Sequence, residues 1–482
     1  MIAVRHVGPP RLTAGLAGAG RLDWDAHRRL HPEPSPLTCE RLVALAEAGR
    51  LHGRGGAAFP FARKVRAVAD SSVRRRRRAV VVVNGTEGEP GSAKDKVLLR
   101  SAPHLVLDGA TLAATALGAG EIVLGITEAG AAASMDDAIA ERGLAARARV
   151  VRLPERFITG EGGALVRGIN GRRPVPPGRK VRAATRGVGG LPTLLSNAET
   201  YAQLAVLAAL GPHRYARVGT PAEPGTVLLT VTGSARFPAV VETPAGAPLG
   251  HLLDLCGARA SEGVLVGGYH GAWITGEAAV RARLSREGLR DAGGTLGAGV
   301  IMPLGRRTCP LGECARVARF LAAESAGQCG PCRLGLPDIA GALADLAEGR
   351  DAASAERTIR RAVRMAAGRG ACTHPDGTSR FVLSALDVFA ADASRHRTHG
   401  GCGRPVLGVL PAETGARLHL EVDWSRCDGH GLCAGILRGL VRMDEYGYPV
   451  IPGEPIPARL EPEARRAVAA CPGLALRLVP RN

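Results

Sequence analysis

Two cysteines separated by two residues, with a third in a distant segment, are the most distinctive chemical feature of this sequence. Cys329 and Cys332 lie in the stretch ESAGQCGPCR, and Cys372 follows about forty residues later. Two thiolates from one loop and one from a second segment are a ligand pattern of iron–sulfur clusters, because the loop holds two irons and the distant segment closes the cage. An isolated C-x-x-C is equally compatible with zinc, a redox dithiol or chance.

Two further cysteines, Cys309 and Cys314, precede this loop. The run 313–324 has apolar residues at helical spacing, which predicts a helix leading up to the loop. With a rise of about 1.5 Å per residue, that helix would place Cys314 roughly 15–20 Å from the loop. We therefore expect neither cysteine to be a cluster ligand.

A second set of candidate ligands lies near the C-terminus. Cys427, His430 and Cys433 form C-x-x-H-x-x-C, and Cys471 is followed by Pro472. This is the ligand set of a bacterial ferredoxin with its middle cysteine replaced by histidine. A zinc site made by the three cysteines and His430 is the alternative. In a ferredoxin, His430 would either complete a four-iron cluster or fill the vacant corner.

A glycine-rich loop near the start of the chain is typical of an anion site. Residues 53–60 read GRGGAAFP, and Lys64 follows where a helix is expected to begin. Closely spaced glycines let backbone N–H groups approach a ligand, and the start of a helix attracts negative charge. This pattern predicts phosphate binding only weakly by itself, but the next segment supports it.

The next segment predicts an open α/β sheet. Residues 79–83 form a continuous apolar run, typical of a strand buried on both faces, and the polar loop NGTEGEPG at 84–91 stands at its carboxyl end. In such sheets, ligands bind outside the carboxyl ends of the strands. The alternation continues with predicted helices at 104–117 and 131–142 and predicted strands at 121–126 and 148–153.

Together these motifs resemble the NADH-oxidising flavoprotein subunit of respiratory complex I and its relatives in soluble hydrogenases and formate dehydrogenases. The cluster loop S-x-G-Q-C-x-P-C-R carries the resemblance, as do G-R-G-G-A-x-F-P and N-x-x-E-x-E-P-G. So do ITGEGGAL at 158–165 with GRR at 171–173, and PTLLSNAET at 192–200. The motifs stand in the family's order over about residues 45–395.

The resemblance implies a multidomain α/β and α+β fold. An irregular lead-in segment (1–45) would precede an FMN- and nucleotide-binding α/β domain (46–222), an SLBB-like β-grasp domain (223–302), a four-helix-bundle iron–sulfur domain (303–396) and a linker (397–416). The last part, 417–482, is similar to the small single-cluster ferredoxins of actinobacteria. Those proteins carry a three-iron cluster on three cysteines, and the resemblance implies a βαββαβ fold.

The resemblance also assigns roles to the residues at matching positions. FMN would be held by Gly53, Arg54, Gly55, Lys64, Asn84, Glu87 and Asn197, with the glycine loop and Lys64 on its phosphate. Glu89 and Glu161 would lie near the nicotinamide. The cluster ligands would be Cys329, Cys332 and Cys372 in the bundle and Cys427, Cys433 and Cys471 in the ferredoxin domain. No acid–base residue is required, because the redox chemistry belongs to the cofactors.

Several positions depart from the family pattern. Ala326 stands where the family has a fourth cysteine, so the bundle cluster is expected to be of the three-iron type, to have a non-cysteine fourth ligand, or to be lost. Thr86, Gly162 and Ser196 replace polar residues that the family places around the flavin or its substrate.

The family's aromatic clamp for adenine is also incomplete. Phe59 remains, but the other clamp positions fall near Ala67 and Arg182. Each lost aromatic pair weakens stacking by about 1 kcal/mol. Arg179 and Lys180 lie beside Arg182, and arginine both stacks on adenine and binds phosphate bidentately. The sequence is therefore compatible with a site for NADH, for NADPH or for another nucleotide, and also with a site that binds no nucleotide.

Composition and charge limit the number of domains, the cellular compartment and the kinds of partner that we expect. The chain has 482 residues, which suggests several domains, and it has no continuous apolar segment of the signal-peptide type near its start. Eleven cysteines without such a segment predict a reduced, cytoplasmic protein, with peripheral contact at the inner face of the membrane as an alternative. The net charge of +19 reflects either genome base composition or docking to an acidic redox partner or an anionic membrane surface.

The positive charge is distributed unevenly along the chain. Arg74–Arg78 is predicted to be a solvated loop rather than a nucleic-acid site, because no aromatic residue interrupts the run. Residues 418–482 contain eight acidic and eight basic side chains, so the whole positive charge belongs to the rest of the chain.

Two functions follow from these expectations. The first is an electron-transfer flavoprotein that takes electrons from NAD(P)H through FMN to two iron–sulfur clusters and then to a separate redox protein. A membrane haem protein, a monooxygenase and a quinone oxidoreductase subunit are the candidate acceptors. The second is an iron–sulfur conduit or scaffold whose nicotinamide site has decayed, which Thr86, Gly162, Ala326 and Arg182 favour.

Overall fold

The computed structural model describes residues 2–16, 20–178, 181–258, 261–412, 417–438, 440–451, 456 and 460–481. The chain forms two compact units, Met1–Ala412 and Glu413–Asn482. Arg179 and Lys180, expected in the nucleotide wall, lie outside the described residues. Within the described part of the chain, no helix is long and apolar enough to cross a membrane.

The N-terminal part of unit 1 surrounds a four-stranded parallel sheet of order β4-β3-β2-β5. The elements of this part are β1 (Ala3–His6), α1 (Trp24–Leu30), α2 (Cys39–Ala48), α3 (Phe61–Arg75), β2 (Val80–Gly85), α4 (Lys94–Ser101), α5 (Pro103–Ala116), β3 (Glu121–Ile126), α6 (Ala129–Glu141), β4 (Ala148–Arg152), α7 (Gly162–Ile169), β5 (Thr193–Asn197) and α8 (Ala198–Tyr215). Val81 and Val83 of β2 face one core, and Val80 and Val82 face the other. The strand is therefore buried on both faces, as its apolar run predicts.

A second sheet in unit 1 has six strands in the order β1-β7-β6-β10-β8-β9. Its further elements are β6 (Thr226–Val231), β7 (Ala239–Pro244), α9 (Leu249–Leu255), β8 (Ser261–Val266), β9 (Ala272–Thr275), α10 (Gly276–Arg281), α11 (Arg286–Asp291) and β10 (Val300–Gly305). The lead-in segment is not irregular throughout, because β1 pairs in parallel with β7. The buried Glu242 carboxylate fixes the chain after β1, since it accepts the N–H groups of Arg11, Leu12 and Thr13.

Helices complete unit 1. They are α12 (Pro310–Ala323), α13 (Leu336–Ala347), α14 (Ala352–Ala366), α15 (His374–Val388) and α16 (Ala390–His399). The loop with Cys329 and Cys332 leaves the end of α12 and enters α13 through a single π turn, Pro331–Gly335. The four helices expected from the sequence correspond to α12–α15, and α16 adds a fifth that extends into the predicted linker.

Unit 2 is small and has one core. Its described elements are β11 (Arg417–Val422), α17 (Leu432–Ile436), β12 (Arg442–Met443), β13 (Pro449–Val450), α18 (Glu461–Ala469) and β14 (Leu476–Arg481). Strands β11 and β14 pair antiparallel, as do β12 and β13. The core includes Leu420, Leu437 and Ala464.

Residues 400–412 fall within the predicted linker, yet they are fixed to the helices of unit 1. The buried carboxylate of Glu313, in the first turn of α12, accepts the N–H groups of Leu407, Gly408 and Leu410 at 3.0, 2.7 and 3.3 Å. These donors satisfy a carboxylate that has 0% exposure. The segment is therefore held in place up to the last residue of unit 1, because a buried charge without donors would be costly.

Replacing Glu313 by alanine should release this segment and destabilise unit 1. The variant leaves several backbone N–H groups without their acceptor, which we expect to cost about 3–5 kcal/mol. Denaturant unfolding of the full chain, followed by circular dichroism, measures the change. Glu348→Ala, at the exposed end of α13, is the control and should change the free energy of unfolding by less than about 0.5 kcal/mol. Equal stability of the two variants would refute the role of Glu313.

Candidate functional site

Lys64, near the start of α3, carries a positive charge that no carboxylate of the described residues neutralises. Its Nζ donates to the carbonyl oxygen of Leu195 at 3.0 Å and lies 3.4 Å from Ser196 Oγ. Burial lowers the pKa of Lys64, and no neighbouring charge opposes that shift. A partly buried ammonium group with only neutral partners is suited to bind an anion.

The glycine loop lies directly against the end of β5. A Cβ atom added to Gly55 would come within 2.5 Å of Asn197 Oδ1, and one added to Gly53 would lie 3.9 Å from Lys64 Nζ. Asn197 is the register partner of Asn84 on β2. The structure thus brings these five predicted residues together at the carboxyl ends of two parallel strands, where α/β sheets bind ligands.

The amide of Asn84 ties two loops of this site together. Its Nδ2 donates to the carbonyl oxygen of Gly160 at 3.1 Å, and its Oδ1 accepts the N–H and the hydroxyl of Thr86 at 3.1 and 2.5 Å. The two donors of Thr86 therefore occupy the side-chain oxygen of Asn84. The substitution of the family's acidic residue by Thr86 changes the local hydrogen bonding as well as the charge.

Of two further predicted flavin ligands, Glu87 has its carboxylate engaged elsewhere, whereas the buried Nε of Arg54 has no hydrogen-bond partner among the described residues. The Glu87 carboxylate accepts the Ser92 hydroxyl and the backbone N–H of Lys96 at 2.9 Å, at the start of α4. The guanidinium of Arg54 lies 4.0 Å from Glu199. Both residues border the site, but neither shares the arrangement around Lys64.

Arg54 lines an open cleft of about 260 Å³ between the glycine loop and the second sheet, which the sequence did not predict. Its polar lining includes Lys94, Glu199, Arg286 and Arg290. Lys94 Nζ is paired with Glu199 at 2.9 Å and Arg286 with Glu223 at 3.3 Å, which leaves Arg290 as the lining arginine without an ion pair among the described residues. The cleft has room for part of a nucleotide, and its arginines suit phosphate.

Glu89 is enclosed at the far end of the 84–91 loop. Its Oε2 accepts the N–H of Tyr269 at 3.0 Å, and its buried Oε1 has no hydrogen-bond partner among the described residues. Burial raises the pKa of Glu89 to about 8, although the Tyr269 N–H opposes the shift. Glu89 is thus a neutral acid at neutral pH, with one oxygen free for a ligand.

The three predicted cluster cysteines come together from two segments of the helical region. Burial, together with the neighbouring sulfurs of Cys329 and Cys372, raises the pKa of Cys332 to about 12. Burial also raises the pKa of Cys372, to which the carboxylate of Glu161 adds. Glu161 accepts the Ala164 N–H at 2.8 Å at the start of α7, and its carboxylate is close enough to Cys372 to raise the pKa of that thiol.

The three thiols do not surround a position for one metal ion. The sulfurs of Cys329, Cys332 and Cys372 do not all lie within 4.8 Å of one another, as the ligands of one ion would. In an iron–sulfur cluster each thiolate binds a different iron, so a wider spacing is expected. Cys309 and Cys314, which the sequence excluded as ligands, are buried in the helical core.

The cluster loop is attached to the α/β part of unit 1. The carboxylate of Glu324, at the end of α12, accepts the N–H of Phe157 at 2.8 Å and lies 3.6 Å from the guanidinium of Arg156. On the other side of the loop, Gln328 donates to the carbonyl oxygen of Pro176 at 3.2 Å. The loops around Glu161 and the thiols therefore keep a fixed spacing.

A buried pair of histidines lies next to the contact between the cluster loop and the α/β part of unit 1. His374 Nε2 lies 2.8 Å from the carbonyl oxygen of Leu321, and its Nδ1 lies 2.9 Å from His270 Nε2. Burial lowers the pKa of both rings, so His374 donates from Nε2 and accepts from His270. The ring of Phe157 packs edge-on against His270 at 4.8 Å. The sequence did not reveal this pairing; its one sign was His374, two residues after Cys372.

Unit 2 places its three predicted ligands around one small cleft. Burial raises the pKa of Cys433, and the sulfurs of Cys427 and Cys471 also raise it, so the three groups are neighbours. Cys471 Sγ accepts the N–H of Ala475 at 3.3 Å. His430 lines the same cleft and is exposed, so it stands at the rim.

The pKa of Glu89 predicts how stability depends on pH. Between about pH 4.5 and pH 8, the folded chain keeps a proton on Glu89 that the unfolded chain releases. The stabilising contribution of Glu89 is therefore complete below this window and is lost as the pH rises through it. Glu89→Gln, which mimics the neutral acid, should gain thermal stability relative to the wild type as the pH rises from about 5 to about 9.

Melting temperatures measured across this range test the prediction. Glu287→Gln, on the exposed side of α11, is the control and should keep a constant difference from the wild type. A constant difference for Glu89→Gln as well would mean that Glu89 is ionised in the folded protein.

Three family models match successive parts of the chain. The Nuo51 FMN-binding domain matches residues 46–206, and the NADH-ubiquinone oxidoreductase-F iron–sulfur binding region matches residues 313–396. A 4Fe-4S single cluster domain matches residues 420–478. These matches confirm FMN and iron–sulfur clusters as the expected cofactors.

The curated relatives that match the chain include F subunits of NADH-quinone oxidoreductase. The F subunit of NADH-quinone oxidoreductase from Streptomyces coelicolor is 28% identical over 384 residues, which are 75% of this chain and 84% of that protein. The F 2 subunit of the corresponding enzyme from Rhizobium meliloti is 26% identical over 431 residues, covering 83% of this chain and 98% of its own length.

Among solved structures, an NAD+-reducing NiFe hydrogenase in its H2-reduced state superimposes with a TM-score of 0.73 and 25% identity. The match covers 83% of this chain and 69% of that one. The chain is thus similar to the F subunit of NADH-quinone oxidoreductase, and it matches in order an FMN-binding domain, an iron–sulfur binding region and a 4Fe-4S single cluster domain.

Proposed function

We propose that this chain is an NADH-dehydrogenase-like oxidoreductase that passes electrons from a reduced nicotinamide nucleotide to an external acceptor. One observation carries the proposal: the loops that form the flavin site in the family touch the thiol cluster. Glu161 raises the pKa of the Cys372 thiol, and Glu324, next to the cluster loop, binds the backbone of Phe157. A flavin in this site would lie next to the first one-electron carrier.

The residues around Lys64 fit FMN. The unneutralised ammonium group and the close approach of Gly53 and Gly55 suit a phosphate, and Asn197 offers an amide beside them. When bound, FMN takes two electrons from a nicotinamide and releases them singly to iron–sulfur clusters. Glu89, neutral at pH 7, can donate a hydrogen bond without repelling the phosphates of the nucleotide.

The cleft beside the glycine loop is proposed to hold part of the nicotinamide nucleotide. Arg54, Arg286 and Arg290 line it and are able to bind phosphate. NADH is preferred because the curated relatives are named for it. NADPH is the alternative if the extra phosphate reaches these arginines.

The finer domain assignments are part of the same proposal. The six-stranded sheet is proposed to contain the SLBB-like β-grasp domain, helices α12–α15 the iron–sulfur bundle, and unit 2 the ferredoxin domain. Homologues are subunits of larger oxidoreductases, so a redox protein partner is expected. A membrane haem protein, a monooxygenase and a quinone oxidoreductase subunit are candidates, and a cytoplasmic protein at the inner membrane face fits all three.

A second candidate is an iron–sulfur conduit that has lost its nicotinamide site. The hydrogen bonds of Thr86 to Asn84 favour it, because they occupy an acceptor inside the flavin site. Anaerobic absorption spectra distinguish the two functions. Flavin bands that bleach with NADH or NADPH support the first, and iron–sulfur absorption without a nucleotide response supports the second. Colourless protein from anaerobic preparation would refute both.

Lys64→Met should lose most of the flavin. Removing the ammonium group takes away a charge-assisted hydrogen bond of about 1.5–3 kcal/mol, which corresponds to a roughly 10- to 100-fold weaker affinity for FMN. Fluorescence titration of the apoprotein with FMN measures it. Lys96→Met, on the neighbouring helix α4, is the control and should bind as the wild type does. If both variants bind FMN equally well, Lys64 does not hold the phosphate.

Cys329→Ser should remove one cluster and leave the other. The expected loss is about three to four irons and a matching amount of acid-labile sulfide per chain. Cys433→Ser should remove the cluster of unit 2, and the two losses should add in the double variant. Cys256→Ser, in the core of the second sheet, is the control and should keep all the iron. Full iron content in Cys329→Ser would refute the cluster assignment.

A further inference from the structure

Cys309, His396 and Cys402 form a compact group of side chains that the proposed electron transfer does not use. Their ligand atoms all lie within 4.8 Å of one another, and no other such group occurs in the described ranges. Cys309 and His396 are each 2% exposed, while Cys402 is partly buried. The group is therefore shielded from solvent on most sides.

Three separate pieces of backbone hold these side chains. Cys309 stands at the N-cap of α12, where its Sγ accepts the N–H of Gly312 at 3.3 Å, and His396 belongs to the last turn of α16. Cys402 comes from the segment after α16. The N–H of Cys309 donates to the carbonyl oxygen of Pro405 at 2.8 Å, which keeps that segment next to the start of α12.

The spacing of the ligand atoms fits a single metal ion. Cys309 Sγ lies 3.4 Å from His396 Nε2. In tetrahedral zinc sites with Zn–S near 2.3 Å and Zn–N near 2.0–2.1 Å, a sulfur and a nitrogen ligand are about 3.5 Å apart. The two atoms are thus already at the distance that a shared zinc ion would impose.

The charges around the group do not oppose a cation. The Arg404 side chain is hydrogen-bonded to Cys402 and brings a positive charge next to the group. Its guanidinium is paired with Glu262 at 2.6 Å and with Asp392 at 2.5 Å, so the local charge is balanced. Two thiolates are left to neutralise a divalent ion.

We propose that Cys309, His396 and Cys402 bind one thiophilic divalent cation, Zn²⁺ by preference, and that this ion fastens residues 400–412 to helices α12 and α16. The ion would bind two thiolates and one imidazole, release the two thiol protons to solvent and leave its fourth position to water. The site would act together with Glu313 at the point where the chain leaves unit 1 towards the ferredoxin domain. This inference does not depend on the flavin or on the clusters.

Metal counts on the full chain test the proposal. The protein is purified anaerobically, incubated with Zn²⁺, desalted and analysed for zinc, iron and sulfide. Wild type and Cys39→Ser, which changes a partly buried cysteine outside the group, should hold one more zinc per chain than Cys402→Ser. Iron and sulfide should be equal in all three. Equal zinc in all three, or extra zinc that appears only as iron is lost, would overturn the proposal.

Two further measurements test the identity of the metal ligands and the folding of the variant. Co²⁺ in place of Zn²⁺ should give thiolate-to-metal absorption in the wild type that disappears in Cys309→Ser and in Cys402→Ser but persists in Cys39→Ser. Urea unfolding of metal-free Cys402→Ser should match that of metal-free wild type, which shows that the variant folds. An intact mass that lacks two hydrogens, with Cys309 and Cys402 joined in the peptide map, would reveal a disulfide and refute the metal site.

Discussion

The contact between Glu324 and the backbone of Phe157 is the interaction on which the arrangement of redox groups depends. Glu324 ends α12, and the cluster loop starts at the next residue. Because its carboxylate accepts the Phe157 N–H and faces Arg156, the thiols cannot move away from the flavin-side loops without breaking a charge-assisted contact. The distance between the two redox sites is therefore built into the fold of unit 1.

Carboxylates that bind backbone N–H groups fix the other loops of unit 1 in the same way. Glu242 holds the chain after β1, Glu313 holds residues 407–410, and Glu87 holds the start of α4. Each carboxylate is buried and obtains several donors at once, so losing one of these carboxylates would leave several buried N–H groups without an acceptor. Glu89 is the exception: it has one donor and a free oxygen, and its raised pKa keeps it neutral.

The functional groups lie at junctions rather than in the cores. The flavin-site residues meet where β2 and β5 end. The thiols meet where the π turn and α15 begin. Cys309, His396 and Cys402 meet where the chain leaves the helices. Cores of valine, leucine and alanine support these edges from behind. This division lets each polar group keep a partner or a ligand while the apolar surface is buried.

The sequence by itself determined what depends on local spacing. The valine run, the glycine loop and the cysteine motifs each specify a strand, an anion loop or a ligand pair, because the relevant contacts join near neighbours in the chain. Only the tertiary structure decided the rest. β1 pairs with the edge strand β7, and Glu87 accepts a backbone N–H at the start of α4. Cys309 meets His396 because α12 and α16 lie side by side. Such contacts join residues far apart in the sequence, and their spacing along the chain carries no periodic signal.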